Sequence, residues 1–227
     1  MSSPISGLRQ NIGVSVKQNS FSVALPVGAY GAAFGAASVA AHFTILQTCL
    51  LSLVMFSGAS QFAVIGVMGA GGSAASAIAT STLLGIRNGL YSVRMAPILK
   101  VKGLSKFFAA QVTIDESTGV AISQETEAQM RKGFWWTGIG VFIFWNLFTI
   151  IGAFGAKSLG NPSQWGLDAA VPAAFLGLVW PRLKDRKSWV VSLTALILAL
   201  SLTPLLPAGV PIITCALLAI VIGWRHP

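Results

Sequence analysis

Three short stretches hold the residue types in this chain that could do chemistry: FSGASQF at 56–62, GIRNGLY at 85–91 and TIDESTG at 113–119. Each interrupts a long apolar run near its middle. Arg87 is a permanent cation whose planar fork suits a carboxylate through two parallel hydrogen bonds. Asn88 follows it, and Tyr91 lies one turn on, between Arg87 and Arg94 on the same helical face. Asp115 and Glu116 are acids that could meet an ammonium group, relay a proton, or simply neutralise Arg87; burial raises a carboxyl pKa toward working pH, which suits proton coupling. Ser57 and Gln61 are one turn apart, and Gly58, Ala59 and Ser60 between them make a helix easy to interrupt. Unwound backbone at mid-membrane exposes amides and carbonyls able to hold a zwitterion, whereas an ordinary kink would leave Ser57 and Gln61 bonding across helices.

The elements that must position these groups follow from composition. Of 227 residues, 54% are hydrophobic and 9% charged, and the mean hydropathy is +0.75, so the medium is lipid. Continuous apolar runs of roughly 18–25 residues favour helices over alternating strands. The expected fold is all-α, a polytopic integral membrane bundle of seven or eight transmembrane segments, some broken or re-entrant, forming one transmembrane domain over residues 1–227. A polar segment, 1–20, opens the chain, and a central polar or re-entrant region covers 100–132.

The apolar runs are 21–43, 45–69, 74–99, 134–156, 167–180, 189–203 and 205–224. The stretch 104–124 is either a span with buried acids, a re-entrant segment or a surface helix. If it crosses, eight segments put both termini inside; if not, seven put the N-terminus outside, and the basic-residue count leans to seven. RLKDRK at 182–187 is cytoplasmic either way. With the third run centred near Gly85, Arg87 sits about 3 Å from the midplane at 1.5 Å per residue, while Arg94 is near the edge. An ion at that depth costs about 3 kcal/mol on insertion scales, so it requires a partner.

Gly31 and Gly35 form a GxxxG read as helix packing, and Gly85 and Gly89 repeat the spacing. The net charge of +9 reflects basic loops rather than nucleic-acid binding. Cys49 and Cys215 have no CxxC partner and read as core residues, not a disulfide or metal site. No hydrolase elbow, phosphate loop, nucleotide motif or HExxH occurs, so an enzyme is disfavoured and neither cofactor nor metal is expected.

PVGAYGAAFG at 26–35, SGASQF, IRNGLY, TIDES and GLDAAVPAAFLGLVWPRLKDR at 166–186 occur in this order. In this the chain resembles the AzlC family, the large subunit of branched-chain amino-acid permeases and exporters. Gly58, Ala59, Gln61 and Phe62 fit its first motif, Arg87, Leu90 and Tyr91 its second, and Asp115 and Glu116 its third. Asn88 stands where the family carries histidine, so no role of that histidine transfers. The resemblance implies export of valine, leucine, isoleucine or methionine across a bacterial inner membrane, with a small AzlD-type membrane subunit as partner. Under that reading Arg87, Asn88, Tyr91, Ser57, Gly58, Ser60 and Gln61 bind substrate, and Asp115 and Glu116 couple protons. The rival is an accessory subunit or channel whose charges only fasten helices.

Overall fold

The computed structural model describes residues 15–158, 170–180 and 183–225. Part of the 167–180 run and of the 166–186 block lies outside them. All regular structure among the described residues is helical: α1 (Val16–Ala29), α2 (Gly31–Ala40), α3 (Ile45–Val54), α4 (Gly58–Gly69), α5 (Ala74–Leu99), α6 (Ser105–Gln111), α7 (Asp115–Ile122), α8 (Glu127–Ser158), α9 (Ala170–Val179), α10 (Arg186–Leu202) and α11 (Val210–Arg225).

Small residues set the central packing. Along α1 and α2, Gly28 lies against Phe144, Gly31 against the Trp145 carbonyl and Gly35 against Thr149 and Ala153, while Gly152 of α8 meets the Ala32 carbonyl. A Cβ at any of these would collide with the neighbouring helix, so glycine permits the backbone contact. The paired numbers rise together, so α1–α2 and α8 run parallel. The GxxxG at 31 and 35 therefore packs helices as expected. Its repeat does not: Gly85 has only the Ser60 hydroxyl nearby, and a Cβ at Gly89 would meet nothing among the described residues.

The apolar run 45–69, read from sequence as one segment, folds back on itself. The Ser38 and Thr48 hydroxyls are 2.8 Å apart and Ser52 Oγ donates to Thr149 Oγ1 at 3.4 Å, so α3 descends beside α2. Phe62 then meets Phe34 edge-on at 5.7 Å, and Gly69 returns to Ala41, so α4 climbs back along α2. The tip is Met55–Ser57, where Ser57 is extended (φ −155°, ψ 102°).

Residues 105–122 make a second hairpin from the opposite end. α6 rises past the Met95 and Leu99 cluster; α7 then descends along α8, with Val112 against Gly138 and Val120 against Gly133. Its tip is Val112–Ile114, a β-branched run that resists helix, and Ile114 is extended (φ −131°, ψ 175°). The tips touch: Gln111 Nε2 donates to the Leu53 carbonyl at 2.9 Å, satisfying an orphan at the end of α3.

α5 runs antiparallel to α4, with Ser60 Oγ donating to the Ser81 carbonyl at 2.9 Å. At its far end Arg131 Nε donates to the Ile98 carbonyl at 2.7 Å. The loop between α10 and α11 packs at the start of α5, with Gly209 against Ser76. Span plus hairpin (α1–α4) and span plus hairpin (α5–α7) are thus inverted with respect to each other.

Polarity is distributed unlike that of a water-soluble domain. Ser38, Thr48, Ser52, Thr80, Thr137 and Thr149 are buried, while Leu46, Ile78, Leu90, Ile143, Leu147, Ile151 and Leu200 face outward. Val16–Ala40 and Glu127–Ser158 are long and apolar enough to cross a membrane. Cys49 and Cys215, expected in the core, are only half-buried, and both are free thiols.

Candidate functional site

A cavity of about 320 Å³ lies where the two hairpin tips meet α1, α5 and α8. Phe56, Ser57, Gly58 and Ala59 reach it from one tip, Ile114, Asp115 and Glu116 from the other, and Arg87 and Asn88 from the middle of α5. Residues of all three polar interruptions, far apart in sequence, therefore line one chamber.

Arg87 Nη1 and Asp115 Oδ2 are 2.8 Å apart, with both side chains partly accessible. The cation in the middle of α5 is matched by an acid, and that acid sits in the first turn of α7 with Glu116. Carboxylates at a helix N-terminus are stabilised by its unsatisfied amides, so the hairpin break that brings Asp115 to Arg87 also eases the cost of its charge.

Hydrogen-bonding capacity is left over on this wall. Arg87 Nε, Asn88 Oδ1 and Trp145 Nε1 are buried and have no hydrogen-bond partner among the described residues. That is two donors and one acceptor. The start of α4 adds to the donors. α1, α3, α5 and α10 each begin under a side-chain cap, from Ser15, Thr44, Ser73 and Asp185, but α4 begins at Ser57 with no such cap. The first-turn amides of α4 lack partners within the helix, as at any helix start. The remaining walls are apolar: Val27, Phe56, Phe62, Val141 and the Trp145 ring. Trp145 is held firmly, stacked on Phe34 at 6.3 Å with its six-membered ring against Gly58.

Of the residues singled out from sequence, Arg87, Asn88, Ser57, Gly58, Asp115 and Glu116 come together. Ser60, Gln61 and Tyr91 are not among the lining residues. Ser60 is buried and ties α4 to α5 through Ser81. Gln61 is fully buried, its Nε2 donating to the Leu51 carbonyl at 3.5 Å, which braces the first hairpin. Tyr91 is half-buried, one turn beyond the cavity. The sequence reading missed Trp145, Tyr30, Val141 and Gly177. A tryptophan inside an apolar helix gives no signal by itself, and the depth it shares with Gly58 exists only once α8 packs on α2.

Comparison with protein families matches residues 22–159 to the family described as AzlC protein. The chain belongs to the AzlC family. The match runs from α1 through α8 and so takes in every cavity-lining residue except Gly177. The AzlC family is associated with branched-chain amino-acid transport, a transport role and not an enzymatic one. With the outward apolar faces, this marks the AzlC chain as a membrane protein. Comparison with curated proteins and with solved structures gave no match.

Proposed function

We propose that this AzlC protein is a secondary transporter that exports branched-chain or other hydrophobic amino acids across a bacterial inner membrane, coupled to protons and working with a small AzlD-type subunit. The observation that carries the reading is the cavity between two opposed hairpin tips, apolar over most of its wall and supplied on one side with paired charges and spare donors and acceptor. Its volume is near the lower end of small-molecule pockets, roughly 300–1,000 Å³, in keeping with a single amino acid. Interrupted helices in corresponding positions of two inverted halves, meeting at mid-depth, support such a carrier.

In this reading the substrate carboxylate takes the donors: Arg87, the indole N–H of Trp145 and the α4 amides at Gly58 and Ala59. The ammonium takes the acceptors: Asn88 Oδ1 and the Asp115 and Glu116 carboxylates. The aliphatic chain lies against Phe56, Phe62 and Val141. Asp115 pairs with Arg87 and would hold either the substrate ammonium or a proton, not both, and that competition links export to proton entry. Ser60 and Gln61 act behind the wall, holding the elements that bear it.

Membrane placement follows the charges. Lys17, Lys100, Lys102, Lys106, Arg131 and Lys132 lie at the end of the bundle where α1 and α8 start and α5 finishes. Lys157, at the end of α8, lies at the other. The positive-inside rule makes the first end cytoplasmic. Residues 45–69 and 104–124 each return to the side they entered from. With α9, α10 and α11 counted as passages, this reading puts both ends of the described bundle inside, in place of the seven-segment arrangement with its N-terminus outside.

The rival reading, an accessory subunit, draws on the same 2.8 Å ion pair. Counterflow of labelled leucine in liposomes, with and without the small subunit, tests the proposal. Saturable exchange abolished in Arg87→Lys supports the carrier; exchange at the wild-type rate in Arg87→Lys removes the carboxylate clamp, and no exchange even with the small subunit favours the rival.

A further inference from the structure

A second cavity, about 430 Å³, opens between the beginnings of α1 and α8 and shares no lining residue with the chamber at the hairpin tips. It has a charged end and an apolar run. At the charged end Lys17 Nζ lies 4.7 Å from the centroid of the Trp136 ring. One turn along α1, about 4.5 Å deeper at 1.5 Å per residue, is Ser20, which is 1% exposed. Its Oγ has no hydrogen-bond partner among the described residues. Beyond it the lining is apolar: Phe21, Ala24, Ile139 and Ile143, with Phe144 closing the side edge-on to Phe21 at 5.6 Å. Among the described residues no acid lines the cavity.

A buried hydroxyl without a partner is costly in an apolar setting, and the sites that tolerate one usually receive an acceptor. Among the described residues none supplies that acceptor; an external one that suits the groove carries negative charge for Lys17 and continues into an apolar chain. Tryptophan and lysine at a helix start also mark the headgroup level of a bilayer. The end concerned is the basic one.

We propose that the α1–α8 groove is a binding site for one anionic phospholipid of the cytoplasmic leaflet. Lys17 meets the phosphate, Ser20 donates to an ester carbonyl one turn deeper, Trp136 fixes the ammonium and packs on the glycerol, and an acyl chain lies along Phe21, Ile139 and Ile143. The site rests on the membrane placement proposed above and not on transport.

Native mass spectrometry of the whole protein, released from detergent after incubation with defined lipids, tests this. Phosphatidylglycerol is expected to remain as a single adduct at least tenfold more abundant than phosphatidylcholine; Lys17→Ala removes that preference, and Lys106→Ala, an exposed cation elsewhere, keeps it. Ile143→Trp, which fills the groove from α8 and leaves Lys17 in place, is expected to lose the adduct. Equal retention of the two lipids, retention in Ile143→Trp, or binding of sn-glycerol 3-phosphate alone with the same Lys17 dependence would each overturn the lipid site. Recovery of the chain in the soluble fraction without detergent would instead overturn the membrane placement beneath it.

Discussion

Replacing Asp115 by asparagine removes one member of a pair whose side chains are 33% (Arg87) and 23% (Asp115) exposed. At 2.8 Å and an effective dielectric of about 20, the gross attraction is on the order of 6 kcal/mol. Desolvation cancels most of it. Losing one partner of a fully buried pair costs about 3–5 kcal/mol, and partial exposure lowers the expected loss here to about 1–3 kcal/mol. That is roughly 3–10 °C in the unfolding midpoint for a chain of this size. Removing both charges, in Arg87→Met with Asp115→Leu, restores most of the stability because no uncompensated ion remains. The two roles then separate in the assay. The double variant, unfolding near the wild-type midpoint in detergent, is expected to show no leucine counterflow in liposomes. A double variant that is stable and exchanges leucine at the wild-type rate would refute the substrate role and leave the pair as a fastener between α5 and α7.

Gly35→Val places a branched side chain against the Thr149 carbonyl and Ala153 and is expected to cost about 1–3 kcal/mol or more as overpacking, read by thermal unfolding; Gly89→Ala, with open space at its Cβ, is expected to gain about 0.5–1 kcal/mol from helix propensity. Gly58→Val sets its Cβ near Trp145 Cη2 (3.1 Å) and narrows the cavity, so leucine exchange is expected to fall more than alanine exchange in the same liposomes. Gln111→Leu leaves the Leu53 carbonyl without the amide that links the two tips; faster modification of a cysteine placed at Phe56 by a thiol reagent is the expected sign. Asp185 caps α10, and the Ser188 backbone N–H bonded to it holds its carboxyl below the usual carboxylate range. A depressed folded pKa adds stability above the unfolded value and loses it as pH falls through the folded one. Wild type minus Asp185→Ala stability is therefore expected to be flat from pH 7 to about 5 and to shrink below about 4, by pH-dependent unfolding.

Much of the site was legible because ionisable and polar residues in apolar runs are conspicuous. Arg87 demanded a counter-charge on cost alone, with Asp115 or Glu116 as the acid to supply it, and the structure pairs it with Asp115. The break in FSGASQF was legible from its Ser and Gly, and the close helix contact from the GxxxG at 31 and 35. What those signals lacked was direction. An apolar run of 25 residues reads the same whether it crosses or returns, so 45–69 passed for one segment, and 104–124 stayed open among three readings. Hairpin geometry came from pairings such as Ser38 with Thr48 and Phe62 with Phe34, which are distant in sequence or carry no local code.

Composition and pattern alone determined the medium, the helical class, the need to pair Arg87 and the family resemblance, because each rests on hydropathy, spacing or motif within a short window. Only the tertiary structure decided that the two interrupted segments are opposed hairpins, that their tips share one chamber, and that Trp145 and Asn88 bring unsatisfied groups to its wall. It also left Ser60, Gln61 and Tyr91 out of the lining, the first two braced behind it. The physical reason is that a helix's own sequence sets which face is small or polar, whereas which neighbour meets that face, and at what depth, is set by how all the helices pack together.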